Sequence, residues 1–169
     1  MNQSNTSIKY AGTVSIETKT KRILSHNNGS MNLFNLLNRF MARHTVSVGE
    51  LPGYLMMYQA TSASVLSNTN ANSNIYPSIE LFTSKTPMIA SLLDAGGSEV
   101  IVYSTSLSSS NIKSGLSLNN NATVCLALIS ADAQTILAAT DVQNGGMLIK
   151  SLQQGMNATV KWQLSFENT

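Results

Sequence analysis

Apolar and polar positions alternate most regularly at the two ends of the chain. Near the start, Ile8, Tyr10, Gly12, Val14 and Ile16 share one face, while Lys9, Ala11, Thr13, Ser15 and Glu17 share the other. Near the end, Val160, Trp162, Leu164 and Phe166 alternate with Thr159, Lys161, Gln163, Ser165 and Glu167. A period of two puts one face of an extended strand on a core, so both segments are predicted strands. Their length and pattern let them pair with each other. Lys21 to Ser25 follows the first strand closely enough to form a hairpin with it, with charged outer positions that discourage pairing at the edge.

Between residues 31 and 43 the period changes. Leu33, Leu36, Leu37, Phe40 and Met41 recur at helical spacing among Asn32, Asn35, Asn38 and Arg39, which predicts one amphipathic helix over 31–43. Beyond Gly49 and Pro52 the chain returns to extended structure. Tyr54–Gln59 reads as a buried strand and Ile79–Phe82 as a short one. Pro87–Leu93 reads as a helical turn or irregular segment closed by Ala95-Gly96-Gly97. Glu99–Ser104 and Thr123–Ser130 are apolar on both faces, as central strands are. Ser106–Asn121 is a polar connection in which Ile112, Leu116 and Leu118 suit an edge strand, and Thr135–Ala139 and Met147–Leu152 are weaker strand candidates. The expected fold is mainly β: an antiparallel β-sandwich or barrel of about seven to nine strands, with the helix on one side or across one end.

A chain of 169 residues suits one domain, assigned to 8–169, behind a flexible polar arm at 1–7. The serine-, threonine- and asparagine-rich stretch 61–75 has no Gly or Pro to fix a turn and is expected to be exposed and mobile, or ordered only by a neighbour. Only 11% of residues are charged, yet 43% are hydrophobic, enough for a packed core. A surface made polar by neutral groups repels other copies weakly and suits a protein held in an assembly. The net charge is +2, with the basic excess confined to the first fifty residues, where Lys9, Lys19, Lys21, Arg22, Arg39 and Arg43 stand against Glu17 and Glu50. These cations are too dispersed for a nucleic-acid face. No apolar run has the length of a membrane span, and the first residues lack the pattern of a secretory leader. Glycosylation-type triplets such as those at Asn121 and Asn157 are what this composition produces by chance.

The search for chemistry gives no catalytic, cofactor-binding or metal-binding residue. His26 and His44 are separated by the helix, and neither has a histidine or acid at ligand spacing. Cys125 is the only cysteine and lies in the apolar run VCLALI, where a buried inert thiol is expected. The carboxylates form no close pair, and no G-x-S-x-G elbow occurs. Asp94-Ala-Gly-Gly-Ser and Asn144-Gly-Gly read as tight turns because they lack the lysine and downstream helix of a phosphate loop. Asp132 and Asp141 follow strands but lack the Asp-x-Asp spacing of a calcium loop. His26-Asn27-Asn28-Gly29-Ser30 could present a helix N-terminus to an anion. The simpler reading is a joint, with Asn28-Gly29 reversing the chain and Ser30 capping the helix.

Several stretches together resemble a known group. Tyr10-x-Gly12-x-Val14, then His26-Asn27-Asn28-Gly29-Ser30 with Leu33-Phe34, then Leu51-Pro52-Gly53-Tyr54-Leu55-Met56-Met57-Tyr58, are similar to the N-terminal half of small virion structural proteins of tailed bacteriophages, including the crAss-like type. The closing Val160-Lys161-Trp162-Gln163-Leu164-Ser165-Phe166 is similar to their last strand. The resemblance implies a non-enzymatic virion component: an auxiliary capsid, head-decoration, head-fibre or collar/tail protein without cofactors, made in the bacterial cytoplasm. Its implied partners are other virion proteins and further copies of itself, with no membrane and no specific nucleic acid. A carbohydrate-binding or adhesin-like β-sandwich for host attachment is the alternative. It needs exposed aromatic platforms, yet Trp162 is in phase with core positions.

Overall fold

The structure, a computed structural model, describes residues 8–27, 31–59, 63, 66, 79–94, 96–97 and 99–168. Its elements in chain order are β1 (Ile8–Glu17), β2 (Arg22–Asn27), α1 (Met31–Met41), β3 (Pro52–Gln59), β4 (Ile79–Glu80), β5 (Thr86–Pro87) and β6 (Ile89–Asp94). They continue with β7 (Glu99–Leu107), β8 (Val124–Ser130), β9 (Ile136–Val142), α2 (Gly145–Gln153) and β10 (Ala158–Asn168). Short 3-10 turns occupy Val48–Glu50 and Ser109–Asn111. The strands form two antiparallel five-stranded sheets, one ordered β2-β1-β10-β7-β6 and the other β4-β3-β8-β9 with β5 also on β3. The mainly β, sandwich-like fold expected from the sequence is therefore present.

The two best-patterned segments pair along their whole length, from Ile8 opposite Asn168 to Glu17 opposite Thr159. This places the end of the chain at the centre of the first sheet, between β1 and β7. Opposed residues share a face, so Val14, Trp162 and Tyr103 form one row and Ile16 and Val160 join the next. All five are buried, and they face a second sheet whose β8 is buried at every position. Burial on both faces explains why the β8 sequence VCLALIS lacks alternation. At one seam the sheets are tied directly. The Ser25 and Thr140 hydroxyls lie 2.6 Å apart, and Ser25 Oγ also donates to the Asp141 carbonyl at 3.0 Å.

α1 covers part of β9. Leu33 and Leu36 bury themselves against Leu137, and the Asn32 amide donates to the Ile136 carbonyl at the strand's outer edge. The helix ends at Met41, two residues before the expected boundary, because Arg43 turns into the left-handed region at φ 59° and reverses the chain.

Three expectations are corrected. Met147–Leu152 is not a strand but the body of a second helix, α2, whose Leu148, Ile149 and Leu152 are buried on one side. Pro87–Leu93 is not a helical turn but mostly β6, an edge strand hydrogen-bonded to β7. Ile112, Leu116 and Leu118 form no edge strand: Ile112 makes one isolated bridge to Phe82, while Leu118 is buried without strand partners. The expectations for residues 1–7, for Asn28-Gly29-Ser30 and for most of 61–75 lie outside the described residues. Within the last stretch Ala63 and Leu66 are buried, in contrast to the exposure expected there.

Candidate functional site

The residues singled out for chemistry are dispersed. His26 is the penultimate residue of β2, opposite Thr13, and His44 lies exposed beyond α1 with its N–H donating to the Arg39 carbonyl at 2.9 Å. Cys125 is fully buried, as expected. Its Sγ donates to Asp141 Oδ1 at 3.0 Å, and the same oxygen accepts the Ala63 N–H at 2.9 Å. Burial first, then the hydrogen bond and charge of Asp141, push the thiol well above its ordinary range. A protonated thiol without solvent access is a poor nucleophile, so this pair ties β8, β9 and Ala63 together.

Two further acids serve turns. Asp132 Oδ1 accepts from Ser130 Oγ at 2.5 Å and from the Gln134 N–H at 3.0 Å, closing the β8–β9 connection. Asp94 Oδ1 accepts the Gly97 N–H at 2.9 Å and shapes the β6–β7 hairpin. Asn144-Gly145-Gly146 does run into a helix, contrary to the sequence reading, but its first amides are occupied. Gly146 N–H donates to the Ala122 carbonyl and Met147 N–H to the Asn120 carbonyl, each at 3.1 Å. A Cβ at Gly145 would overlap the Val124 side chain, and one at Gly146 would overlap the Asn119 carbonyl oxygen. The two glycines are therefore packing devices, with no room for a phosphate between them and the 119–122 turn. Among the described residues no three His, Cys, Asp or Glu side chains gather as a metal set, and no helix is long and apolar enough to cross a membrane.

The most ordered polar arrangement lies between α1 and the β8–β9 turn. Arg39 grips Glu50 with two hydrogen bonds, Nη1 to Oε1 at 2.6 Å and Nη2 to Oε2 at 2.9 Å, and Ser47 N–H adds a third to the carboxylate at 2.9 Å. The Arg39 hydrogen bond and then the Ser47 amide hold the Glu50 carboxyl down at about 2. Beside it, Asn32, Asn35, Ser130 and Thr135 line a shallow groove of about 230 Å³. The ion pair is satisfied within the chain and fixes the segment after α1, so the groove offers neutral polar groups without an unpaired charge.

The surface departs from an ordinary soluble domain in where it leaves apolar side chains. Every residue of β6 is exposed, with Ile89 at 73%, Leu92 at 64% and Leu93 at 51%. On α1, Phe40 and Met41 extend beyond the part of the helix held against Leu137. Exposed apolar residues grouped on one element mark contact surfaces more often than single scattered ones do. Sequence reasoning missed β6 because exposure depends on strand order, and an apolar run without alternation looks the same whether it is central or at an edge. The candidate site is thus a contact surface: an open strand edge, with the uncovered end of a helix as a second apolar area. No family model, curated protein or solved structure matches the chain.

Proposed function

We propose that this chain is a non-enzymatic structural component of a bacteriophage virion, present in several copies and held by protein–protein contacts as an auxiliary capsid, head-decoration or head-fibre/collar protein. The observation that carries the reading is the apolar, fully exposed β6 on a surface with little charge. A dispersed protein is poorly served by such an edge, whereas an assembled one uses it. The virion assignment itself comes from the resemblance of the N-terminal and closing segments.

The glycan-binding alternative has less support. Trp162, Tyr58 and Tyr103, which could have served as sugar platforms, are all buried. Counting the chain in purified phage particles by quantitative mass spectrometry tests the reading. Hundreds of copies per particle support a capsid role, and a handful supports a collar or tail role. Absence from every particle fraction of an infected culture that expresses the chain overturns it.

A further inference from the structure

β6 is the outermost strand of its sheet, paired with β7 on one side and, among the described residues, with no strand on the other. Alternate residues of an antiparallel strand aim their N–H and C=O groups at opposite neighbours, so about half of those on β6 point into the open edge. Proteins usually protect such an edge with lysine, proline, a bulge or a covering segment. The other edge of the same sheet follows that rule: β2 carries Arg22, and its Ser25 is tied to β9. β6 reads Ile89-Ala90-Ser91-Leu92-Leu93, with its one charge, Asp94, only at the end.

We propose that β6 joins two copies of this chain by pairing antiparallel with the β6 of a second copy about a two-fold axis through Ser91, making one continuous sheet from two. The inference rests on the assembly reading above and names its contact. The strand's own order selects a second copy as partner. A two-fold axis normal to the sheet keeps each face on its own side, so residues opposite each other must share a face. With Ser91 opposite Ser91, Ile89 meets Leu93 on one face and Ala90 meets Leu92 on the other, while Asp94 falls opposite Met88, just outside the strand. Moving the axis to Leu92 brings Asp94 opposite Ala90 and leaves Ile89 past the end of the partner strand.

Charge agrees with this arrangement. Asp94 and Glu99 face each other at the tip of the β6–β7 hairpin. Neither has an ion-pair partner among the described residues. Antiparallel pairing sets the two copies' acidic tips at opposite ends of the joined edge, so these like charges are kept apart. A six-residue edge buries less than the roughly 800 Å² per partner of a standard interface, so an isolated pair is weak. Repetition of the contact through a particle strengthens it without new chemistry.

The test uses the full chain with Ser91→Cys. Its only native cysteine, Cys125, is buried, so an oxidised covalent dimer reports position 91. Mild oxidation is expected to give a covalent dimer with Ser91→Cys but not with Leu93→Cys, whose two copies lie about 13 Å apart at a strand rise of about 3.3 Å per residue. In sedimentation velocity, the native chain should shift from monomer to dimer with rising concentration. Ser91→Lys, which sets two ammonium groups face to face, should weaken dimerisation at least tenfold while leaving the circular dichroism spectrum unchanged. A native chain that stays monomeric at every concentration, together with no Ser91→Cys dimer, overturns the pairing. If particles still contain many copies in that case, assembly stands and only the β6 contact fails. A Ser91→Cys dimer from a chain found in no particle would instead uphold the pairing and reject the virion role.

Discussion

Tyr58 Oη and Trp162 Nε1 are buried without a hydrogen-bond partner among the described residues. Each gave up its bond to water for none in the fold, a loss that runs to about 1–3 kcal/mol for a neutral group. Tyr58→Phe removes one of these groups at little change in volume, so it is expected to leave stability unchanged or raise it by up to about 1 kcal/mol in urea unfolding. A clear loss would show that the hydroxyl is bonded in solution. Burial, and then the charge of Glu80, push the Tyr58 phenol up to about 12. Its folded value lies above the ordinary 10.0, so its contribution is complete below that pH and is lost as pH rises towards 12. Glu50 behaves in the opposite sense. Its folded value of about 2 lies below the ordinary 4.5, so the Arg39 and Ser47 link is complete above 4.5 and is lost as pH falls through 2. An NMR titration of the Glu50 carboxyl should find its midpoint near 2, and a midpoint near 4.5 would mean that the pair does not persist in solution.

Among the elements, α2 depends on a close approach that its apolar residues alone do not convey. Gly146 lies under the Asn119 carbonyl, and a Cβ there forces the 119–122 turn outward. Gly146→Ala is therefore expected to destabilise the protein by about 1–3 kcal/mol despite alanine's better helix propensity, as a lowered thermal midpoint. An unchanged midpoint would show that α2 is not docked there. The same element shows where the sequence stops being legible. Met147 to Leu152 is too short for period to separate strand from helix, and the glycines before it read as a turn until the surface they pack on is known. β1 and β10 were legible because one face meets the core and the other does not, which writes alternation directly into Val14, Ile16, Val160, Trp162 and Leu164. β6 was not, because all its residues are exposed and no burial contrast shapes its sequence. The candidate surface was hidden for the same reason: an edge is created by strand order, which Ile89 to Leu93 do not encode by themselves.

For the whole molecule, the pairing of β1 with β10 has a kinetic and a thermodynamic consequence. The central strand of one sheet comes from the last residues of the chain and its neighbour from the first, so that sheet is incomplete until distant ends meet. Closing so long a loop costs entropy before its contacts stabilise anything, and folds dominated by non-local pairs form in about milliseconds to seconds. The second sheet cannot wait as a separate unit, because Trp162 and Val160 of β10 belong to the same continuous core as Leu126 and Leu128 of β8. Trp162 is the only tryptophan and is fully buried, so its fluorescence reports completion of that core. Unfolding in urea followed by Trp162 emission and by far-ultraviolet circular dichroism should therefore give one coincident transition, with refolding in the millisecond-to-second range. A circular dichroism signal persisting after the Trp162 transition would mean that one sheet stands without the other, and that residues 8–169 are not a single cooperative domain.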